Sequence, residues 1–247
     1  KGVRRLALIL TALALVAMGV VILTGQEING ARRWLSILGY SFQPSELAKP
    51  GFIVMIAWLF CEAADRKDVP ALPLALVLWG TFAALLVMQP DVGQTVLVSA
   101  TAGTIYLLAG LPLIGAFAMI AAGAAGLWFA YQNFSHVQMR IDGFLRTLPF
   151  ENFQGDRALQ SFSEGGFFGR GPGEGTIKSV LPDAHTDYIF AVVAEEYGVI
   201  ACLVLLGIFA FIVLRALSRA GSQSDGPIRL AIQGLAILFG LQALINM

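Results

Sequence analysis

Long apolar runs separated by polar segments set the pattern of this chain. A helix needs about 20 mostly apolar residues to cross the hydrocarbon core of a bilayer, and seven runs approach or exceed that length. We predict a transmembrane helix in each of them, at about 6–24, 45–63, 72–89, 93–110, 113–131, 187–214 and 228–247. The pattern therefore predicts an all-α, polytopic membrane protein with a single transmembrane domain over residues 1–247.

The basic residues of the short connections predict the orientation of these spans. Three connections carry them: Arg4 and Arg5, then Arg66 and Lys67, then Arg215, Arg219 and Arg229. Alternation along the spans puts all three on one side, which is cytoplasmic because short loops rich in Lys and Arg stay inside. The outer side then receives residues 25–44, the QPDVG turn at 89–93 and the long loop 132–186. Arg32 and Arg33 run against this count.

Composition agrees with a membrane protein. Hydrophobic residues make up 57% of the chain and charged residues 13%, whereas soluble domains carry about 25% charge. The net charge of zero offers nothing to attract nucleic acid. Cys61 and Cys202 lie inside apolar runs, so we predict buried thiols and no disulfide or metal site between them. Because the chain starts at Lys1 and stops inside an apolar run, we expect an internal fragment.

The loop 132–186 is too long to be a simple connector, and loops of this length usually carry function or are disordered. Within it, DRALQSF at 156–162 predicts a short amphipathic helix on the membrane surface. The following segment, SEGGFFGRGPGEG at 163–175, cannot form a regular helix. Its glycines favour turns and a close approach to a ligand.

Two polar motifs lie between the first two predicted spans and at the start of the second. NGARRWL at 29–35 places Arg32, Arg33 and Trp34 at interface depth, where arginine forks suit a diphosphate or another anionic head group. An aromatic-belt tryptophan with arginines on lipid phosphates explains the motif equally well. In QPSELAKP at 43–50, Glu46 and Lys49 share a helix face; they line a polar cavity or neutralise each other and snorkel outward.

Two further motifs place acids at helix starts. Asp91 in QPDVG either caps the next helix or faces a cavity. PDAHTDYIF at 182–190 and AEEYG at 194–198 bring His185, Asp187 and Glu195. His185 could equally be a loop histidine bonded to backbone. Asp187 and Glu195 are about 80° apart around a helix and about 12 Å along it, so they can line one cavity at different depths.

Ionisable residues in or beside a span are candidates for function. The pattern therefore predicts a polar, partly acidic cavity that opens outward beneath the glycine-rich loop. It does not separate an enzyme from a transporter, because acid chains also build ion pathways.

The motifs NGARRW, FQPSELAK and QPDVG, then the glycine-rich loop and LPDAHTDYIFAVVAEEYG, closely resemble the SEDS family of bacterial cell-wall proteins, FtsW and RodA. The resemblance covers essentially the whole chain. GRGPGEGTIKSVLPDAHTDYIF is more similar to FtsW, the division member, than to RodA, the elongation member. On the family's ten-helix template the chain runs from the third to the ninth helix, and 132–186 is the fourth extracytoplasmic loop.

The resemblance implies a peptidoglycan glycosyltransferase that polymerises lipid II, the undecaprenyl-diphosphate-linked disaccharide pentapeptide, during cell division. It implies a multi-pass protein of the bacterial inner membrane, surrounded by lipid at the septum, that acts with a class B penicillin-binding protein and other divisome proteins. A RodA-type elongation polymerase, a lipid II flippase and a non-catalytic scaffold are the alternatives.

The resemblance also implies roles for single residues. Asp187 matches the key acid of the HTDF-type motif, with Tyr188 where phenylalanine is frequent. Asp187 is then either the base that takes the proton of the acceptor hydroxyl or a ligand of a divalent cation, Mg²⁺ or Mn²⁺; no other cofactor is implied. Supporting roles in the cavity or in substrate binding fall to Glu46, Lys49, Asp91, Trp34, Arg32, Arg33, His185 and Glu195.

Overall fold

The computed structural model describes residues 2–28, 31–37, 40–66, 68–135, 137–138, 141–142, 153–176 and 189–246, with backbone alone at 26–28, 31, 37, 40 and 153–158. Within these ranges the main helices are α1 (Gly2–Thr24), α2 (Pro44–Asp65), α3 (Ala71–Met88), α4 (Val92–Leu108), α5 (Leu113–Asn133), α6 (Phe153–Gly165), α7 (Ile189–Gly221) and α8 (Gly226–Ile245). Three short strands, β1 (Gln26–Ile28), β2 (Ala31–Ile37) and β3 (Tyr40–Phe42), lie between α1 and α2.

Where the structure describes them, each of the seven predicted spans is helical, so the prediction of an all-α, multi-pass membrane protein is confirmed. Six of them, α1, α2, α3, α5, α7 and α8, are long and apolar enough to cross a bilayer. α4 is equally apolar but has only 17 residues. α7 continues to Gly221, past the predicted end at 214, and its last turns include Arg215 and Arg219.

The chain divides into two compact units. Unit 1 comprises Lys1–Met139 and Ala216–Leu238, and unit 2 comprises Arg140–Arg215 and Phe239–Met247. The single domain over 1–247 stays a prediction.

α2 is the central helix of unit 1. It packs against α1, α3 and α4, and 61% of its span is buried, against 28% for α1 and α3. Phe52 stacks on Phe82 of α3, with ring centroids 4.8 Å apart. Gly51 lets α1 approach closely, since a Cβ there would lie 2.6 Å from Thr11 Oγ1. This packing holds the first turns of α2 in place.

The strands form an antiparallel sheet in the order β1-β2-β3, which the hydropathy pattern did not predict. Leu35 lies opposite Phe42 and Ser36 opposite Ser41, and β2 also contacts α1 and α2. Successive side chains on a strand point to opposite faces. The segment that carries Arg32 and Arg33 is therefore a strand, and it sends the two arginines in opposite directions.

Unit 2 contains the predicted amphipathic helix and an interrupted span. α6 covers the predicted 156–162 and extends beyond it at both ends. α7 is broken at Gly198, whose φ of 79° and ψ of 176° are not helical. Phe162 of α6 packs near Phe190 of α7, with centroids 5.9 Å apart.

Candidate functional site

Six polar side chains of unit 1 meet where β2 and the first turns of α2 and α4 come together. We call this group the polar cluster. Its hydrogen bonds join residues far apart in the sequence, which shows that the connection before α2 and the α3–α4 turn converge. Its members are Arg33, Gln43, Glu46, Lys49, Asp91 and Gln94.

Asp91 is both a helix cap and an ion-pair partner. Its Oδ1 accepts the backbone N–H of Gln94 at 3.4 Å, which caps α4. Its Oδ2 accepts from Arg33 Nη1 at 3.3 Å and from Gln43 Nε2 at 3.1 Å. The residue is 5% exposed. Asp91 therefore caps α4, which is one of the two roles that the sequence left open, and its cavity role stays a prediction.

Glu46, Lys49 and Gln94 form a closed ring of hydrogen bonds. Lys49 Nζ lies 2.7 Å from Glu46 Oε2 and donates to Gln94 Oε1 at 2.8 Å. Gln94 Nε2 in turn donates to Glu46 Oε1 at 3.1 Å. Lys49 is 2% exposed, so the alternative of a lysine that snorkels to the surface is wrong.

The polar cluster balances its charges inside unit 1. Arg33 and Lys49 bring two positive charges, and Glu46 and Asp91 bring two negative ones. A buried ammonium is tolerated only when opposite charge and hydrogen bonds replace its lost water. The side chain of Glu46 is 40% exposed, so this carboxylate is the part of the ring that lies at the surface of unit 1. The polar cluster therefore pairs the partly exposed carboxylate of Glu46 with the buried ammonium of Lys49.

Glu195 occupies a different setting, in unit 2. It is completely buried, and its Oε1 accepts the Thr176 backbone N–H at 2.6 Å. Arg170 donates to Thr176 Oγ1 at 3.2 Å and pairs with Glu164 Oε2 at 2.6 Å. Glu195 thus fixes the end of the glycine-rich segment onto α7.

The glycine-rich segment also supplies hydrogen-bond partners for the backbone groups at the break in α7. The Arg170 N–H donates to the Glu195 carbonyl at 2.9 Å, and the Gly171 N–H to the Glu196 carbonyl at 3.0 Å. In return the Val199 N–H donates to the Gly166 carbonyl at 2.9 Å. Each bond satisfies a group that the missing helical turn would have left without a partner. The close approach that glycine favours is made here to the backbone of α7.

The other sequence-predicted residues fall into two groups. Arg32 and Trp34 lie on β2; Arg32 is exposed and Trp34 is partly buried. His185 and Asp187 lie outside the described residues, so the position and role of each stay predictions.

The predicted metal site also depends on a residue outside the described ranges. Among the described residues there is no group of three or more His, Cys, Asp or Glu side chains that could hold a metal ion. Asp187, the candidate ligand, is not one of them. Cys61 and Cys202 are buried free thiols, as predicted.

Sequence reasoning missed Gln43 and Gln94. Both are uncharged, so they do not stand out in a count of ionisable groups. Two signals were nevertheless present. Gln94 is a polar residue inside the apolar run 93–110. A Gln-Pro pair at 43–44 lies at the start of α2, and another at 89–90 lies just before α4.

Comparisons with known proteins match the chain from end to end. The family model described as FTSW_RODA_SPOVE, cell cycle protein, matches residues 1–247. The chain is 41% identical over 246 residues to a Caulobacter vibrioides protein described as "Probable peptidoglycan glycosyltransferase FtsW", covering 100% of this chain and 63% of that protein. The chain therefore spans less than two thirds of that relative's length.

Two solved structures have a similar fold. The crystal structure of the Thermus thermophilus rod shape determining protein RodA gives a TM-score of 0.65 at 27% identity, over 98% of this chain and 65% of that one. A chain from a structure titled "Structural coordination of polymerization and crosslinking by a peptidoglycan synthase complex" gives 0.72 at 27% identity, over 99% of this chain and 70% of that one.

Proposed function

Because the chain belongs to the FtsW/RodA/SpoVE family of cell cycle proteins, we propose that this protein is a peptidoglycan glycosyltransferase of the FtsW type. It polymerises lipid II into glycan strands at the division septum, on the outer face of the bacterial cytoplasmic membrane. The description of the Caulobacter vibrioides relative as a probable peptidoglycan glycosyltransferase supports this activity.

The polar cluster is the observation that carries the proposal. It joins Lys49, which is 2% exposed, to the first turns of two helices and to Arg33 on β2. Helix N-termini and nearby cations favour anions, so this corner of unit 1 suits a diphosphate. The charged members of the polar cluster lie together at the first turns of α2 and α4 and on β2, which suits a cavity open to one side rather than a path across the bilayer.

The reaction transfers a glycan from its lipid diphosphate to the 4-hydroxyl of the GlcNAc of a lipid II acceptor. The hydroxyl oxygen bonds to the anomeric carbon with inversion, the bond from that carbon to the diphosphate oxygen breaks, and the bonding pair leaves on the diphosphate. Asp187 takes the hydroxyl proton as general base. Lys49 and Arg33 stabilise the charge that develops on the leaving diphosphate.

The partner is a class B penicillin-binding protein, which cross-links the strands as they form, together with other divisome proteins. The similarity to a chain of a peptidoglycan synthase complex supports this pairing.

The proposal gives Asp187 the role of base, and a cation titration separates this role from that of an Mg²⁺ or Mn²⁺ ligand. The base role predicts that excess Mn²⁺ restores no activity to Asp187→Asn, because no proton acceptor has been replaced. Partial restoration would assign Asp187 to a metal.

Incubation of the full-length protein and its partner with purified lipid II tests the activity, with glycan strands resolved on a gel. We expect strands from the wild type and a strong loss in Lys49→Met, because the leaving diphosphate loses its cation. A parallel assay follows fluorescent lipid II across liposome bilayers. Movement of lipid II across the bilayer without any strand formation would show that the protein is a transporter and not a polymerase.

A further inference from the structure

Gln94 is the neutral member of the polar cluster, and it connects the cluster's two ion pairs. Its backbone N–H donates to Asp91 Oδ1 at 3.4 Å, and Asp91 pairs with Arg33. Its side chain reaches the other pair, accepting from Lys49 Nζ at 2.8 Å and donating to Glu46 Oε1 at 3.1 Å. A single residue of α4 thus contacts both halves of the cluster.

The chemistry of a carboxamide explains why glutamine suits this position. Its oxygen only accepts and its nitrogen only donates, so it can bridge an ammonium and a carboxylate at the same time. A glutamate at 94 would keep the acceptor for Lys49 but would bring a second carboxylate to the edge of Glu46, where the Gln94 nitrogen now lies 3.1 Å away. A leucine would fill similar space and make neither bond.

We infer that Gln94 is a positioning residue for substrate binding: its carboxamide closes the ring with Glu46 and Lys49 and so holds the ammonium in a place from which its positive charge attracts an anionic diphosphate. This inference rests on the proposed function, since it takes the lipid-linked diphosphate as the ligand. Gln94 acts through Lys49 and does not itself take part in the chemistry. The ring restricts a flexible side chain in advance, which reduces the entropy lost on binding.

The Michaelis constant for lipid II is the diagnostic quantity. Loss of folded protein lowers the apparent kcat and leaves KM unchanged, whereas a displaced Lys49 weakens binding and raises KM. For Gln94→Leu we expect KM to rise roughly tenfold, the factor that corresponds to one hydrogen bond to a charged group. Gln132→Leu, at an exposed glutamine near the end of α5, is the matched control and should keep the wild-type KM.

A charge swap tests whether the hydrogen-bonded ring itself matters, or only the presence of a carboxamide at position 94. Gln94→Glu alone should raise KM, because two carboxylates then face each other. Adding Glu46→Gln restores one carboxylate, one carboxamide and one ammonium, and KM should return to within about threefold of the wild type.

The outcomes distinguish the inference from the proposed function. If the wild type makes glycan strands and Gln94→Leu binds lipid II with an unchanged KM, the positioning role is wrong. If KM stays high in the swapped double variant, the ring is not what holds the ammonium. If the wild type with its partner makes no strands, the proposed function itself fails.

Discussion

At the scale of single residues, Lys49 brings a charge into the interior of unit 1. The residue is 2% exposed, and its Nζ lies 2.7 Å from Glu46 Oε2 and donates to Gln94 Oε1 at 2.8 Å. The i,i+3 spacing of Glu46 and Lys49 predicted their pairing, because residues three apart share a helix face. The burial of Lys49 was not predictable from spacing, since it depends on how α4 and β2 pack over the start of α2.

Removal of the Lys49 charge should destabilise the protein. Lys49→Met removes the ammonium that lies 2.7 Å from Glu46 Oε2, and breaking a partly enclosed pair costs about 1–3 kcal/mol. Arg66→Met, at the residue that directly follows α2, is the control. The Arg66–Glu62 pair has its arginine side chain 64% exposed, and such a pair contributes about 0–1 kcal/mol. Thermal unfolding in detergent measures both.

A double variant tests whether the Lys49 effect comes from the pair. Lys49→Met with Glu46→Gln removes both charges, so its unfolding temperature should lie above that of Lys49→Met alone. Equal losses of unfolding temperature in Lys49→Met and Arg66→Met would contradict a buried Lys49 charge that is stabilised by its pair with Glu46.

At the scale of elements, the spans and the amphipathic helix α6 were predictable, whereas the strands and the break in α7 were not. Apolar runs identify membrane helices because hydrocarbon requires satisfied backbone and apolar side chains over a fixed length. The three strands are short, and two of them have only three residues, so no alternating pattern can build up in them. The break of α7 at Gly198 depends on a partner segment far back in the sequence, and hydropathy carries no sign of it.

The break at Gly198 requires glycine. Its φ of 79° and ψ of 176° lie in a region essentially reserved for glycine, and a Cβ would approach the Gly169 nitrogen to 2.5 Å. We expect Gly198→Ala to lower the unfolding temperature clearly and to release the segment 166–176 from α7.

Limited proteolysis measures that release. Trypsin should cut after Arg170 faster in Gly198→Ala than in the wild type. Gly207→Ala is the control, because Gly207 lies on the same helix and a Cβ there would meet nothing within 4 Å. Equal cleavage of the two variants would show that the segment does not depend on the break.

At the scale of the whole molecule, the sequence predicted a multi-pass membrane protein of one family, and both conclusions hold. Ordered motifs between apolar runs carried the family assignment, because each motif is specific and their order adds to that specificity. The candidate site was predictable only in part. Arg33, Glu46, Lys49 and Asp91 converge in unit 1, whereas Glu195 anchors a segment in unit 2 and Asp187 lies outside the described residues.

The predicted orientation can be tested with single cysteines and a membrane-impermeant maleimide. Ser36 and Asp225 are both exposed, and the basic-residue count puts them on opposite sides. Ser36→Cys should react when the reagent is added from the periplasmic side, and Asp225→Cys only after the membrane is permeabilised. The native Cys61 and Cys202 are buried and give the background. The reverse pattern would invert the topology and move the polar cluster to the cytoplasmic side.

The rate of strand formation shows whether this protein polymerises lipid II with Asp187 as the base. The full-length protein and its class B partner receive lipid II, and the rate of strand formation is compared among wild type, Asp187→Asn and the exposed-loop control Asp68→Asn. The account predicts wild-type rates for Asp68→Asn and a loss of at least about 100-fold for Asp187→Asn, with folding and partner binding unchanged. Strands made by Asp187→Asn at the wild-type rate would contradict it.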